Sequence, residues 1–332
     1  MIKPWLWIPA SLAHAVSDIG VQASAFLADD WQDQPECKWK PFRWNGFEFK
    51  NRLGIAGGLD KNAENIQAWQ KLGAGFLEIG TVTPLPQKSN PGQIIARDLE
   101  QMALWNKMGF PSKGYRYVSD EIRFAERNIP LFVNIGKNRQ TPNDKAFDEY
   151  AMLTENLRAQ ADALVLNISS PNTAGLRDLF KKEYLEAGLK KVLKKSIYTP
   201  VLLKFSPDMT DQELQEVVRT AIGVGISGFI MTNTTTYRGP HSPFPTEGGV
   251  SGAPLREASV RCFEKVQEFA GSERNSLLLV NCGGVMTSAD VFDRLKRGAD
   301  LVQVYSALVF NGPGFLKEVA LEWKKLNHVA RD

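Results

Sequence analysis

The chain has 332 residues, of which 43% are hydrophobic and 23% charged, and its 40 basic and 37 acidic side chains give a formal net charge of +3. These values are typical of a globular enzyme with a large core. The balanced charge argues against a nucleic-acid partner, and no apolar run reaches the roughly 18 residues that a membrane-spanning helix needs.

Residues 1–45 are predicted to form a small helical N-terminal extension ahead of a larger domain at 46–332. Apolar residues in this extension follow the 4-3-4-3 spacing of one helix face, at Leu12, Val16, Ile19, Ala23 and Phe26. Five of the eight tryptophans precede residue 45, a pattern typical of a segment that lies on a membrane without spanning it. A helix that docks on the larger domain is an equally good interpretation, and the sequence leaves both open.

From residue 53 onward, short apolar runs alternate with helical patterns. Each run is almost continuously apolar, as expected for strands that are buried on both faces in a parallel sheet. The predicted strands are Leu53–Gly57, Phe76–Thr81, Leu131–Ile135, Ala163–Ile168, Val201–Phe205, Gly228–Thr232, Leu277–Cys282 and Leu301–Tyr305. Helical patterns such as Asp211–Ile222 and Glu257–Phe269 lie between them. These repeated strand–helix units predict an α/β fold, the (β/α)8 TIM barrel, with surplus length in the extension, in 84–130 and in 234–254.

Polar or glycine residues follow every predicted strand, at the end where TIM barrels carry their chemistry. They are Gly57–Lys61, Gly80–Thr81, Asn134–Asn138, Asn167–Thr173, Lys204, Thr232–Thr234, Gly283–Gly284 and Tyr305–Ser306. Each one alone has a plain explanation; the segment Asn167–Thr173, for example, could be a turn that only reverses the chain. Eight such ends together predict a binding site at this face of the barrel.

The composition of this ring narrows the chemistry. It contains neutral amides and cations, among them Lys61 and Lys204, but neither a cluster of carboxylates nor a histidine. Glycoside hydrolysis, hard-metal binding and Ser–His catalysis are therefore poorly supported. Amides bind planar polar rings through paired donors and acceptors, and cations suit an anionic ligand or a ring that gains negative charge. The combination predicts a heterocyclic cofactor that faces an anionic heterocyclic substrate.

The cysteines and histidines are scattered along the chain. They are Cys37, Cys262, Cys282, His14, His241 and His328. No CxxC pair and no zinc-ligand spacing occurs, and the odd number of cysteines argues against a disulfide framework. We therefore predict no metal site and a reducing compartment.

Two glycine-rich segments have different interpretations. Gly283-Gly284 leads through Thr287 or Ser288 into a helix predicted to begin near Ala289, and backbone N–H groups together with a helix N-terminus attract phosphate. The segment from Gly223 to Gly228 formally matches GxGxxG, but it follows a helix and precedes a strand, the reverse of a dinucleotide-binding fingerprint. Its glycines are predicted to end that helix.

These residues together resemble class 2, quinone-dependent dihydroorotate dehydrogenases. The matching motifs occur in the family order over nearly the whole chain. They are Ala56-Gly-Gly-Leu-Asp-Lys61, Glu78-Ile-Gly-Thr-Val-Thr-Pro84, Asn106-Lys-Met-Gly-Phe110, Asn134-Ile-Gly-Lys-Asn138, Asn167-Ile-Ser-Ser-Pro-Asn-Thr173, Thr232-Asn-Thr-Thr235, Gly248-Gly-Val-Ser-Gly252 and Tyr305-Ser306.

The resemblance implies an enzyme that uses flavin mononucleotide (FMN) to oxidise dihydroorotate to orotate in pyrimidine biosynthesis. It implies that Ser170 is the general base that removes the proton from C5 of the substrate, while the hydride from C6 passes to flavin N5. Class 1 relatives have a cysteine at this position, so Ser170 favours class 2. Because a serine hydroxyl is a poor base in water, it needs a closed site and a proton relay.

The resemblance also implies which residues bind substrate and cofactor. The expected substrate-binding residues are Lys61 for the carboxylate, Phe110 beside the ring, and Asn106, Asn167, Asn172, Asn233 and Thr234 for the polar atoms. The expected FMN-binding residues are Ala56, Gly57, Lys61, Thr81, Asn134, Asn167, Lys204, Thr232, Gly252, Gly283, Gly284, Tyr305 and Ser306.

In class 2 relatives the N-terminal helices form a quinone tunnel, and the resemblance places His14, Arg97 and Tyr305 along it. It implies a membrane quinone as electron acceptor and a peripheral location on the cytoplasmic side of the cell inner membrane. A monomer or weak oligomer is expected.

The chain also departs from the family pattern. Pro111 and Lys113 follow the Asn106–Phe110 motif, and Asn281-Cys282 precedes the glycine pair where relatives have small apolar residues. Trp5 stands where some relatives have a polar quinone ligand. Two other functions remain open: a soluble relative that passes electrons to fumarate or, through a partner, to NAD, and a non-catalytic flavin- or nucleotide-binding barrel at a membrane.

Overall fold

A computed structural model describes residues 3–28, 38–173 and 175–329 of the chain. Its strands are β1 (Phe42–Trp44), β2 (Phe47–Phe49), β3 (Leu53–Ile55), β4 (Phe76–Val82), β5 (Ile95–Asp98), β6 (Ala103–Asn106), β7 (Leu131–Ile135), β8 (Ala163–Leu166), β9 (Val201–Lys204), β10 (Gly228–Met231), β11 (Gly249–Gly252), β12 (Leu278–Cys282) and β13 (Leu301–Val304). Its α-helices are α1 (Ala10–Ala15), α2 (Ser17–Leu27), α3 (Ile66–Lys71), α4 (Tyr115–Phe124), α5 (Ala146–Leu157), α6 (Lys182–Ser196), α7 (Asp211–Val224), α8 (Arg256–Ala270), α9 (Ser288–Lys296), α10 (Ser306–Asn311) and α11 (Phe315–Val329).

Eight parallel strands close into a barrel in the order β3-β4-β7-β8-β9-β10-β12-β13, and β13 pairs with β3. All eight correspond to predicted strands, so the predicted TIM barrel is confirmed. Alternation along a strand explains the apolar runs, since successive side chains point to opposite faces. In β8, Ala163 and Val165 pack inside the barrel, whereas Leu164 and Leu166 pack against the helices outside it.

The helices between the strands begin and end where their sequences indicate. Thr210 and Glu213 form a reciprocal capping box at the start of α7, which ends at Gly225 in the left-handed conformation with φ of 93°. The glycine-rich segment that follows α7 is therefore a helix terminus, as predicted. On α6, Leu185 and Leu189 are buried while the lysines face solvent.

A β-hairpin closes the barrel at the amino-terminal ends of its strands. Its strands β1 and β2 are antiparallel, and Phe49 inserts between Phe76 and Phe132 with ring centroids 5.7 and 6.2 Å away. Upstream, Trp39 is buried against Trp323 of α11. Residues from Trp39 to Phe49 therefore pack with the barrel, although the predicted boundary at residue 45 runs between the two strands of the hairpin.

The N-terminal extension forms two consecutive helices, α1 and α2, with Val16 between them, where the apolar spacing predicted one helix. All members of the predicted apolar stripe are exposed, including Ile19 at 69% and Phe26 at 85%. The opposite face carries the contacts with the barrel: Ala25 is buried, and Asp18 accepts a hydrogen bond of 3.0 Å from Asn65. The extension thus docks on the barrel through one face and exposes its apolar stripe on another.

None of the helices in the described part of the chain is long and apolar enough to cross a membrane.

The two other regions of surplus length pair with each other. Strands β5 and β6 come from the connection between Pro84 and Pro130, and β11 comes from the loop between residues 234 and 254. The three form an antiparallel sheet in which Gly249 lies opposite Asn106. This pairing brings Asn106 and Ser251 to the carboxyl ends of the barrel strands.

An ion pair lies inside the barrel near these carboxyl ends. The Lys204 ammonium group is 3.0 Å from Oε1 of Glu78, whose side chain is fully buried. Glu78 also accepts hydrogen bonds from Asn134 Nδ2 at 2.6 Å and from Gln303 Nε2 at 2.7 Å. Burial is the largest influence on the pKa of Lys204 and lowers it, but the charge of Glu78, its hydrogen bond to Lys204 and the nearby Cys282 together raise the pKa overall. Lys204 is therefore a permanent buried cation.

We predict that Lys204→Met lowers the free energy of unfolding by about 3–5 kcal/mol, because it leaves the Glu78 charge buried without a cation. The double variant Lys204→Met/Glu78→Gln removes both charges and should recover most of that loss. Chemical denaturation without added ligand measures both effects.

Lys195→Met is the matched control, since Lys195 pairs with Glu155 at 2.9 Å on the surface and exposed pairs contribute little. Equal stability of the Lys204→Met and Lys195→Met variants would contradict the expected cost of an unpaired buried charge.

Candidate active site

A cavity opens at the carboxyl ends of the barrel strands, the face at which TIM barrels carry their binding sites. Most residues predicted to bind substrate or cofactor line it. They are Ala56, Gly57, Lys61, Thr81, Asn106, Phe110, Asn167, Ser170, Asn172, Lys204, Thr232, Asn233, Thr234, Gly283, Gly284, Tyr305 and Ser306. Residues that are far apart in sequence meet here because parallel strands place their carboxyl ends on one face.

Two predicted cofactor residues, Asn134 and Gly252, lie behind the cavity wall. Asn134 bridges wall residues to the buried charge, because its Oδ1 accepts a hydrogen bond of 2.7 Å from Thr81 while its Nδ2 donates to Glu78. Gly252 lies opposite Ala103 in the antiparallel sheet, next to Ser251, which does line the cavity. Direct contact with a ligand through the side chain of Asn134 is therefore not indicated.

Hydrogen bonds among side chains fix the amides at one side of the cavity. Asn167 Nδ2 donates to Thr81 Oγ1 at 3.0 Å, and Asn233 Nδ2 donates to Asn167 Oδ1 at 3.1 Å. Asn172 Nδ2 donates to Asn106 Oδ1 at 2.8 Å, which links the loop after β8 to β6. Each amide thus has a defined orientation before any ligand arrives.

Ser170 is 4% exposed and lies in the loop that follows β8. Its Oγ accepts a hydrogen bond of 3.2 Å from the backbone N–H of Asn172. Among the described residues, no histidine or carboxylate side chain forms a hydrogen bond with this hydroxyl, so the arrangement differs from a Ser–His–Asp triad.

Several buried polar atoms of the cavity wall have no hydrogen-bond partner within the described residues. They are Thr232 Oγ1, Thr234 Oγ1, Asn172 Oδ1 and Gln303 Oε1. A buried polar group without a partner costs about 1–3 kcal/mol, so the cavity is suited to a ligand that supplies the missing hydrogen bonds.

Lys61 is the second cation of the cavity wall. Burial lowers the pKa of its ammonium group, while the carboxylates of Asp18 and Asp60 oppose that shift. Asp60 is itself buried, and its carboxylate accepts hydrogen bonds from the backbone N–H groups of Glu64 and Asn65 at 3.0 and 2.9 Å. The loop that presents Lys61 is therefore held by its own neighbours.

The glycine pair after β12 forms one end of the cavity. Gly284 has φ of 69°, and a Cβ there would lie 2.2 Å from Cα of Arg256, so only glycine fits. Beside the pair, Ser306 begins α10 and lies 2.9 Å from Ser251 Oγ.

The prediction that α9 faces this end is not supported. Thr287 forms a capping box with Asp290 of its own helix, and the cavity wall reaches α10 instead.

A second cavity lies between the N-terminal helices and the barrel. His14, Arg97 and Tyr305 line it as predicted, together with Trp5 and mostly apolar residues. Gly58, Leu104 and Tyr305 line both cavities, so the two are separated by a single shared wall.

Two polar groups of the second cavity, His14 and Tyr305, have strongly shifted pKa values. Burial and the nearby charge of Lys61 lower the pKa of His14 to about 4, so the imidazole is neutral at pH 7. Burial, together with the Asp18 carboxylate, raises the pKa of Tyr305 to about 12, so its phenol keeps its proton. Arg97 donates a hydrogen bond of 2.9 Å to the backbone oxygen of Trp5, which fixes the N-terminus beside the cavity.

Sequence reasoning gave no role to Glu78 or Gln303, although each interrupts an apolar strand with a side chain that points into the barrel. A polar side chain in a strand that is otherwise buried and apolar needs a polar partner, so the interruption itself could have identified both residues. Ser251 and Leu104 also line the cavity, but they do so through the long-range pairing of β6 with β11, which leaves no local trace.

The departures from the family pattern lie in different places. Pro111 and Cys282 line the first cavity, and burial raises the pKa of the Cys282 thiol to about 11. Lys113 lies outside the wall, forms an ion pair with Glu64 and stands 4.3 Å from the ring of Tyr117. Asn281 is buried outside the wall with both polar side-chain atoms unpartnered in the described structure.

Comparison with known proteins agrees with this architecture. A sequence model of the dihydroorotate dehydrogenase family matches residues 42–326. A dihydroorotate dehydrogenase (quinone) from Sulfurimonas denitrificans is 36% identical over 98% of this chain and 93% of that protein. One from Thermus thermophilus is 41% identical over 83% of this chain and 80% of that protein.

Solved structures agree as well. The crystal structure of DHODH from Eimeria tenella in complex with ferulenol superposes with a TM-score of 0.85 at 31% identity, and the match covers 96% of this chain and 92% of that chain. Its ligand-free form gives a TM-score of 0.84 at 30% identity, covering 96% and 95%. Each of these two matches thus covers nearly the whole chain. The chain belongs to the dihydroorotate dehydrogenase family and is an oxidoreductase.

Proposed function

We propose that this protein oxidises dihydroorotate to orotate with FMN as cofactor and passes the electrons to a membrane quinone. The observation that carries the proposal is the pair of adjoining cavities: a polar one around Ser170 and a mostly apolar one under the N-terminal helices, with Tyr305 in the wall between them. Electron transfer between two different molecules requires that the substrate site and the acceptor site lie close together, as these two cavities do. The relatives named above are quinone-dependent dihydroorotate dehydrogenases by name.

The first cavity fits FMN in its chemistry. Lys204 supplies a cation for a ring that gains electrons, and the unpartnered atoms of Thr232 and Gln303 supply polar contacts near it. Gly283, Gly284 and Ser306 line one end of this cavity and would bind the phosphate. The other expected contacts are Ala56, Gly57, Thr81, Tyr305 and the backbone around Gly252. When bound, FMN accepts a hydride from the substrate and supplies electrons to the quinone.

Substrate binding is assigned to the opposite part of the same cavity. Lys61 would bind the substrate carboxylate, and Phe110 would pack beside the ring. The amides Asn106, Asn167, Asn172 and Asn233, together with Thr234, would bind the polar ring atoms. Asn172 Oδ1 and Thr234 Oγ1 lack partners within the described structure and are free to do so.

Ser170 would remove the proton from C5 of dihydroorotate as the hydride leaves C6, so that a C5–C6 double bond forms. The hydroxyl is almost fully buried, and a water-excluded site strengthens its interaction with the departing proton. Because no side-chain base forms a hydrogen bond with Ser170 among the described residues, proton release after the step depends on water.

We expect Ser170→Ala to keep its FMN, judged by absorbance, and to reduce it with dihydroorotate about 10²–10⁴-fold more slowly, the usual contribution of a general base. Anaerobic stopped-flow spectroscopy measures the rate of flavin bleaching.

Ser170→Cys is the matched variant, because a thiol can also accept the proton, and it should retain more activity than the alanine variant. Equal rates for wild type and Ser170→Ala would remove Ser170 from the mechanism.

The second cavity and the exposed stripe of the extension support quinone reduction at a membrane. His14 is neutral at pH 7 and can hydrogen-bond a quinone carbonyl, while Tyr305 holds its proton at the shared wall. The stripe Leu12, Val16, Ile19, Ala23 and Phe26 is exposed, although Val16 also lines the second cavity, and an exposed apolar stripe suits a helix that lies on a lipid surface. We assign the protein to the cytoplasmic side of a bacterial inner membrane, as a peripheral protein.

We predict that deletion of residues 1–37 spares flavin reduction by dihydroorotate but abolishes turnover with a long-tailed quinone. This deletion keeps Trp39 and the hairpin to Phe49, which pack with the barrel. Stopped-flow reduction and steady-state quinone assays measure the two half-reactions separately.

A tail-less quinone is the control acceptor, and the deletion should affect it far less. Unchanged turnover with the long-tailed quinone would refute the assignment of the second cavity. Fast turnover of the full chain with fumarate or NAD would favour the soluble alternative.

A further inference from the structure

Arg177 joins three loops beside the first cavity without lining the cavity itself. Its Nε donates to the backbone oxygen of Ser169 at 3.1 Å, in the loop after β8. Its Nη1 donates to Asp208 Oδ2 at 2.9 Å, in the loop after β9. Its Nη2 donates to the backbone oxygen of Thr234 at 3.4 Å, in the loop after β10. The planar guanidinium can make all three contacts at once.

Asp208 fixes the other end of this junction. Its Oδ2 accepts hydrogen bonds from the backbone N–H and the hydroxyl of Thr236 at 2.8 and 2.9 Å, and its Oδ1 accepts one from the hydroxyl of Thr235. The side chains of Arg177 and Asp208 are 28% and 20% exposed. The carboxylate thus holds both the guanidinium and the loop after β10, in partly buried surroundings where ion pairs are screened less by solvent.

The peptide that Arg177 holds is the one directly before Ser170. Ser169 is fully buried, and its Oγ accepts a hydrogen bond of 3.1 Å from Asn233 Nδ2. The Ser170 hydroxyl has a hydrogen bond only from the Asn172 backbone within the described structure. The direction of that hydroxyl therefore depends on how its backbone is held.

We propose that Arg177, fixed by Asp208, is a positioning residue that holds Ser170 in line with the substrate-binding residues of the loop after β10. The proposal rests on the role of Ser170 in the proposed function. A misplacement of about 1 Å can lower the rate roughly 10²-fold. Loss of this junction, the Arg177 clamp, should therefore slow the chemical step more than it weakens ligand binding.

A double-mutant cycle tests this directly. Arg177→Ala should slow flavin reduction by dihydroorotate about 10–100-fold, within the cost of such a misplacement, while FMN content and the affinity for orotate change little. In the Ser170→Ala background the same substitution should have almost no further effect, because the base that Arg177 positions is already gone. A purely structural role would slow both backgrounds equally and would overturn the proposal.

Arg261→Ala is the matched control. Arg261 donates to Asp211 at 2.5 Å and to the backbone oxygen of Met209, in the same loop after β9, at 3.2 Å. Among the described residues it forms no hydrogen bond with the loops after β8 and β10. It should leave the reduction rate unchanged. A loss equal to that of Arg177→Ala would point to general damage and would contradict the proposal.

Arg177→Lys keeps a charge for Asp208 but cannot reach three acceptors, so it should also be slower than wild type. If Arg177→Ala cannot be produced as folded protein, Arg177→Lys becomes the test. A wild-type rate of flavin reduction in Arg177→Lys would then contradict the proposal. If dihydroorotate does not reduce the flavin of the wild-type protein, the proposed function itself is contradicted. If it reduces the flavin of Arg177→Ala at the wild-type rate, only the present inference is contradicted.

Discussion

The ion pair between Glu78 and Lys204 depends on closure of the barrel. Strands β4 and β9 are not neighbours in the sheet, yet their side chains meet at 3.0 Å across the interior. Gln303, from β13, reaches the same carboxylate from a third direction. Because an unpaired buried charge is costly, the pair requires the closed ring, and the closed ring in turn places a permanent cation beneath the polar cavity.

The rest of the site is built on this base. Asn134 connects Glu78 to Thr81, and Thr81 connects to Asn167, so the buried charge is continuous with the amides that line the cavity. Above them, the sheet formed by β5, β6 and β11 contributes Asn106. The N-terminal helices add a second cavity on the far side of Tyr305. One rigid scaffold thus holds a polar and an apolar binding site in contact.

Much of this was predictable from the sequence, because parallel strands that are buried on both faces give continuous apolar runs, and the loops after them fall on one face. The eight strands and most of the cavity residues follow from that rule. The exposure of the N-terminal apolar stripe could not be predicted, since periodicity defines a helix face but does not tell whether that face is buried or exposed. The pairing of Asn106 with Gly249 and the clamp at Arg177 join segments that are distant in sequence. Local sequence patterns do not predict such contacts.

The most direct test of the central claim is the ratio of flavin to protein in the purified full-length chain, measured by absorbance and by mass spectrometry under native conditions. A cavity with a fixed cation, unpartnered polar atoms and a glycine pair should retain one non-covalent FMN per chain. A colourless protein that cannot take up added FMN would contradict the account.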